Sequence, residues 1–200
     1  HIFVRSFVPN TLSDAERAAG WRMLWDGHAS RGWHGAKGVE FPAAGWSMAD
    51  GVLTVLGTKG EAKGGDIVTV EEFAAFELQL EFQVTEGANS GIKYFVMPDQ
   101  SGAPVGLEFQ LIDDERHPDA NKGVDGNRTT ASLYDLIPRG ELPRGLGIAP
   151  QAGAWQHARI SDLGFTRELL TAREHDVGAL DARLRVDQHQ LGRLKARVRD

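Results

Sequence analysis

The stretch "FELQLEFQ", Phe76 to Gln83, alternates without a break: Phe76, Leu78, Leu80 and Phe82 fall on one side, Glu77, Gln79, Glu81 and Gln83 on the other. A helix would scatter these apolar residues around its circumference, whereas the period-two pleat of a strand gathers them on one face. The segment is therefore read as a strand with one buried and one solvated face, the usual condition of antiparallel sheets. Its apolar face needs a second layer to cover it, which confines the chain to layered architectures.

Much of the chain shares this texture. "NSGIKYFVMP" and "VGLEFQLID" have the same form, with turn-forming Gly, Asn, Ser and Pro between the segments. "GWSMADGVLTVLG" reads as a hairpin turning at Asp50-Gly51, a dipeptide that accepts the positive φ values of a type I′ turn. Many short strands at this spacing predict an all-β fold, an antiparallel β-sandwich or jelly roll. A short N-terminal helix precedes them in "TLSDAERAAGW", where Ser13 and Glu16 have capping-box spacing.

The end of the chain breaks the pattern. Val177, Leu180, Leu184, Leu191, Leu194 and Val198 follow one another at spacings of three and four, with Asp187 filling the one gap. That is a heptad seam, and it marks 164–200 as an atypical tail beside a sandwich at 1–163, either helical or an altered or truncated end of the domain. Gly178 and Gly192 interrupt the seam. If the tail is helical, that seam must bury itself against the sandwich or against a second copy, the latter giving a homo-oligomer through the tail.

Composition removes several function classes. A formal net charge of −6 argues against a general nucleic-acid partner, which needs a basic surface. No apolar run approaches the roughly 20 residues of a spanning helix. With no cysteine there are no disulfides, thiolate metal sites or thiol nucleophile. The sequence opens at His1 rather than Met, which suits a leader removed upstream and hence a periplasmic or secreted protein.

Chemistry concentrates in "GLEFQLIDDERHPDANKGVDGNRTTASLYDLIP", residues 106–138. Alternation puts Glu108 and Gln110 on the face opposite Leu107, Phe109 and Leu111. Beyond the strand come Asp113, Asp114, Glu115 and His117, then Arg128, Tyr134 and Asp135. The plain alternatives are a solvated sheet face and a polar turn. Packed together, however, such groups shift one another's pKa values and suit general acid/base work. No motif fixes a cofactor; carboxylates at this density could hold a hard divalent cation, though their spacing matches no strict metal pattern. Arg128 either pairs with the acidic cluster or, with Tyr134, binds hydroxyls. In "NSGIKYFV", Asn89 and Lys93 share a face with Gly91, whose missing side chain would leave room for a ligand. Trp21, Trp25 and Trp155 read as core; Trp33 and Trp46, in Gly-rich surroundings, read as core or as platforms for a pyranose ring.

Seven stretches, in order over about residues 12–160, carry a resemblance: "GWRMLWDGHASRGWHG", "WSMADGVLTV", "GGDIVTVEEFAAFELQLEFQV", "GANSGIKYFV", "GLEFQLIDDERHPDA", "GNRTTASLYDLIP" and "WQHARI". Together they resemble the bacterial 3-keto-disaccharide hydrolase domain, related in fold to concanavalin A-like glycoside hydrolases. The resemblance implies a glycoside or oligosaccharide substrate, with the cleft on a concave sheet face. It implies catalytic roles among Glu108, Asp113, Asp114 and His117, and substrate binding by Asn89, Lys93, Gln110, Arg128, Tyr134 and Trp46. A 3-keto group acidifies the hydrogen at C2, so cleavage by β-elimination and hydration is the implied reaction. A non-catalytic carbohydrate-binding sandwich and an incomplete, inactive member are the other readings. After "WQHARI" the chain departs from the family's closing strands and continues as "SDLGFTRELLTAREHDVGAL".

Overall fold

A computed structural model describes residues 10–56, 64–73, 75–98, 104–142, 152–162, 185–187 and 191–198. Its one α-helix among these residues, α1 (Asp14–Ala18), starts on the expected capping box. The Ser13 hydroxyl accepts from the Glu16 amide at 3.3 Å, and the Glu16 carboxylate accepts from the Ser13 amide at 2.7 Å. All else is sheet, turn and short 3₁₀ helix.

Eleven strands follow among the described residues: β1 (Trp21–Met23), β2 (Trp33–Gly35), β3 (Trp46–Ala49), β4 (Val52–Val55), β5 (Ile67–Thr69), β6 (Phe76–Gln83), β7 (Asn89–Pro98), β8 (Pro104–Ile112), β9 (Trp155–Asp162), β10 (Arg185–Asp187) and β11 (Leu191–Val198). One sheet runs β3-β4-β11-β6-β9, with β1 also on β11; the other runs β2-β5-β10-β7-β8. Every pairing is antiparallel. The chain is thus the two-sheet β-sandwich expected.

Local chemistry explains the elements. β6 alternates buried and half-buried along its whole length, and Phe76, Leu78, Leu80 and Phe82 face a core shared with Ile92 and Leu111 of the other sheet. The β3–β4 hairpin turns at Asp50 and Gly51, with φ of 51° and 71°, the left-handed pair that a two-residue I′ turn requires. Trp25, Trp33 and Trp46 are core. Trp155, read as core, is instead half exposed at the start of β9.

The tail requires the larger correction. Residues 185–187 and 191–198 are strands, and β11 lies between β4 and β6 in the interior of its sheet. A spacing of four satisfies helix and strand alike, so Leu194 and Val198 could not discriminate. The spacing of three from Leu191 to Leu194 suggested a helix, but a register shift between Leu191 and Arg193 absorbs the odd residue at Gly192. Leu191 then pairs with Phe82, Leu194 with Leu80, Ala196 with Leu78 and Val198 with Phe76. Over these residues the heptad seam is a bulged strand, which removes the basis there for association through a helix. Val177, Leu180 and Leu184 lie outside the described residues.

Candidate active site

The site stands on β7 and β8, whose register sets Lys93 opposite Glu108 and Gly91 opposite Gln110. Opposed residues of an antiparallel pair project to the same side. Lys93 Nζ lies 3.4 Å from Glu108 Oε2, with both side chains largely buried. A Cβ on Gly91 would come within 2.6 Å of Glu108 Cδ. The space over Gly91 is therefore filled by the Glu108 carboxylate, and not left for a ligand as the sequence suggested. Next along the strand, Gln110 Nε2 donates to Asn89 Oδ1 at 3.2 Å, while Gln110 Oε1 is buried without a hydrogen-bond partner.

The wall comes from the excursion that follows β8. The chain leaves the sheet after Ile112, makes a 3₁₀ turn at Pro118–Asn121 and returns along the edge of β8. The return is anchored by backbone bonds: Ala131 N–H to Gln110 O at 2.8 Å, Gln110 N–H to Ser132 O at 3.1 Å, and Tyr134 N–H to Glu108 O at 2.9 Å. Thr130 Oγ1 accepts from the Ile112 amide and donates to its carbonyl, at 2.8 and 2.5 Å. His117 caps the 3₁₀ turn, its Nδ1 accepting from the Asp119 amide at 3.2 Å. Tyr134 donates its hydroxyl to Asp119 Oδ2 at 2.7 Å. The result is an open cleft of about 460 Å³ lined by Asn89, Ser90, Lys93, Glu108, Gln110, His117 and Tyr134. That volume is in the range of small-molecule sites.

A network stands behind the wall. Arg128 Nη1 donates to Asp119 Oδ1 at 2.9 Å, and its Nε and Nη2 grip Asp135 at 2.9 and 3.1 Å. Its guanidinium carbon lies 5.2 Å from the centre of the Tyr134 ring. Burial, then the bond to the Asp119 carboxylate, push the Tyr134 phenol up to about 12. Burial of Asp119 acts to raise its pKa, but the bonds from Tyr134 and Arg128 outweigh it and hold the carboxyl below its ordinary value.

Six of the expected site residues line this cleft: Glu108, His117, Asn89, Lys93, Gln110 and Tyr134. Four do not. Asp113 is buried in its turn, accepting from the amides of Gly87, Glu115 and Arg116 at 2.7, 3.1 and 3.3 Å. Asp114 accepts from the Thr130 amide at 2.7 Å and from Arg139 Nη1 at 2.6 Å. Both carboxylates tie the excursion to its surroundings. Arg128 is held behind Tyr134 by two aspartates. Trp46 belongs to the core, its Nε1 donating to Gly65 O at 3.1 Å and its ring meeting Phe41 edge-on. Ser90 and Asp119 were missed. The signal for Asp119 was Pro118, which marks the start of a helical turn and places residue 119 in its first turn. Among the described residues no three His, Asp or Glu side chains are grouped to hold a metal ion. The cleft itself offers only Glu108 and His117 from that set.

Fold and cleft together define a two-sheet antiparallel β-sandwich with an open polar groove on one sheet. A candidate glycosyl hydrolase from Parabacteroides distasonis superposes with a TM-score of 0.72 at 22% identity, covering 96% of this chain and all of that one. A second from the same organism gives 0.57 at 18% identity, over 88% of this chain and 95% of the other. These likenesses concern the fold. Residues 20–164 match the model of the 3-keto-alpha-glucoside-1,2-lyase-like domain, and the chain belongs to that family. A 3-keto-disaccharide hydrolase of Bacteroides thetaiotaomicron is 35% identical over 158 residues, which cover 72% of this chain and 52% of the relative. The chain thus spans about half the length of that curated relative. Among the described residues no helix is long and apolar enough to cross a membrane.

Proposed function

We propose that the cleft cleaves the glycosidic bond of 3-keto glucosides or 3-keto-disaccharides by elimination followed by hydration. The observation that carries this is the placement of a carboxylate, an ammonium and an imidazole around one open groove: Glu108 and Lys93 on the floor, His117 in the wall. Family membership supports the substrate class.

The Glu108 carboxylate takes the proton from C2, and the electron pair moves into the ketone to give an enolate. Lys93, beside Glu108, is in reach of charge developing on the ketone oxygen. The enolate collapses, the C1–O bond breaks, and the departing oxygen accepts a hydrogen bond from His117 Nε2 and takes its proton from water. Water then adds at C1 and a proton returns to C2, so the net change is hydrolysis. Each donor works in a partly buried setting where electrostatic stabilisation is strong.

The test compares turnover of a 3-keto glucoside and of the same glucoside unoxidised. The wild type is expected to act on the first and to leave the second essentially untouched, because only the ketone acidifies C2. Glu108→Gln, which keeps shape and removes the base, should lower turnover about 100-fold or more. Equal rates on both sugars would point to ordinary two-carboxylate glycosidase chemistry, and binding without turnover to a carbohydrate-binding module.

A further inference from the structure

Asp119 meets both wall residues from behind. Its backbone amide donates to Nδ1 of His117, and its carboxylate accepts the hydroxyl proton of Tyr134 while also receiving Arg128. Each contact settles where a proton sits. With Nδ1 of His117 occupied as an acceptor, the neutral ring carries its hydrogen on Nε2. With the phenol hydrogen directed at Asp119, the Tyr134 oxygen has only lone pairs to offer the cleft.

We propose that Asp119 is a positioning residue that fixes the proton inventory of the cleft, so that Tyr134 meets the sugar as a hydrogen-bond acceptor and His117 as a donor through Nε2. The ligand chemistry follows. Tyr134 reads a donor hydroxyl of the sugar ring, and a substrate with an acceptor at that position would face two sets of lone pairs. The Arg128 fork supports the arrangement: it donates to both Asp119 and Asp135 and lies against the ring of Tyr134. The inference rests on the proposed reading of the cleft for its substrate, but not for the proton arrangement itself.

The experiment has one arm that does not depend on activity. The chain has two tyrosines, Tyr94 and Tyr134, and a Tyr134→Phe variant identifies which phenolate absorbance belongs to residue 134. With the Tyr134 phenol at about 12, roughly a tenth of it is ionised at about pH 11 in the parent protein. Asp119→Asn removes the neighbouring charge while burial, the larger cause, remains, so a clearly greater share of the Tyr134 signal is expected at that pH. An unchanged titration overturns the proposal. The second arm is kinetic. Tyr134→Phe removes only the hydroxyl, and it should raise KM for a 3-keto glucoside about tenfold while kcat changes much less. It also carries the test if Asp119→Asn does not fold, and an unchanged KM overturns the sugar-reading role. Should the parent lack turnover, the same comparison is made as Kd by calorimetry. The lack of turnover then counts against the elimination reading, while the phenol titration and Kd still decide the role of Asp119.

Discussion

Replacing Gly91 with Ala probes the cleft at its floor, because the site's carboxylate lies where a side chain would otherwise be. The added Cβ would overlap Oε1 of Glu108 and stand 2.6 Å from its Cδ and Cγ, whereas ordinary contact begins near 3.4 Å. Glu108 must therefore move by at least about 1 Å, and its 3.4 Å pairing with Lys93 moves with it. Displacement of a reacting group by about 1 Å costs on the order of 100-fold in rate. Stability should fall only modestly. Gly in a strand is less favourable than Ala by about 0.5–1 kcal/mol, which offsets part of the cost of loosening a largely buried ion pair. The assay is turnover of a 3-keto glucoside alongside thermal unfolding. The expected result is a rate about 100-fold lower at a Tm within a few degrees of the parent. Adding Glu108→Gln to Gly91→Ala should then cost little more than either change alone, since both disable one group. Full activity in Gly91→Ala would refute the reasoning, because it would mean that the carboxylate need not occupy the place it holds.

Other outcomes follow from the same geometry. Asp113 is buried, which acts to raise its pKa, but three backbone amides and Arg116 lower it below the ordinary 3.8 overall. A depressed folded pKa contributes stability that is complete above the unfolded value and lost as pH falls through the folded one. Asp113→Asn should therefore lose stability at neutral pH and flatten the acid limb below about pH 4, read by denaturant unfolding across pH. Thr130→Val takes away a hydroxyl that both donates to and accepts from the Ile112 backbone, and urea titration should show a loss of about 1–3 kcal/mol. A chain ending at residue 190 lacks β11, the partner of β1, β4 and β6, and should give no cooperative thermal transition.

Local signals in the sequence were reliable where a single period or turn decides the structure. The alternation of β6, the Asp50-Gly51 turn and the Ser13–Glu16 box all appear as read. β11 was illegible because a bulge at Gly192 gives a strand the spacing of a heptad. The acidic run illustrates another limit. Asp113 and Asp114 find their partners at Gly87, Thr130 and Arg139, and nothing local says that those groups return to meet them. Gly91 was recognised as a vacancy, but what fills it depends on the register of β7 against β8.

The return of residues 130–134 along β8 has a consequence for how this cleft can change. Among the described residues β8 is the last strand of its sheet, and an uncovered final strand is a template for pairing with another molecule. Here the segment that brings Tyr134 to the cleft also occupies backbone groups of Glu108, Gln110 and Ile112 on that strand. Recognition and solubility are therefore written in the same five residues. A variant selected to loosen this wall for a bulkier sugar would expose a sticky margin as it widened the groove. On the β7 side Asn89 pairs with Ile112 through the ladder, so a replacement there leaves the margin covered, provided it still accepts from Gln110 Nε2.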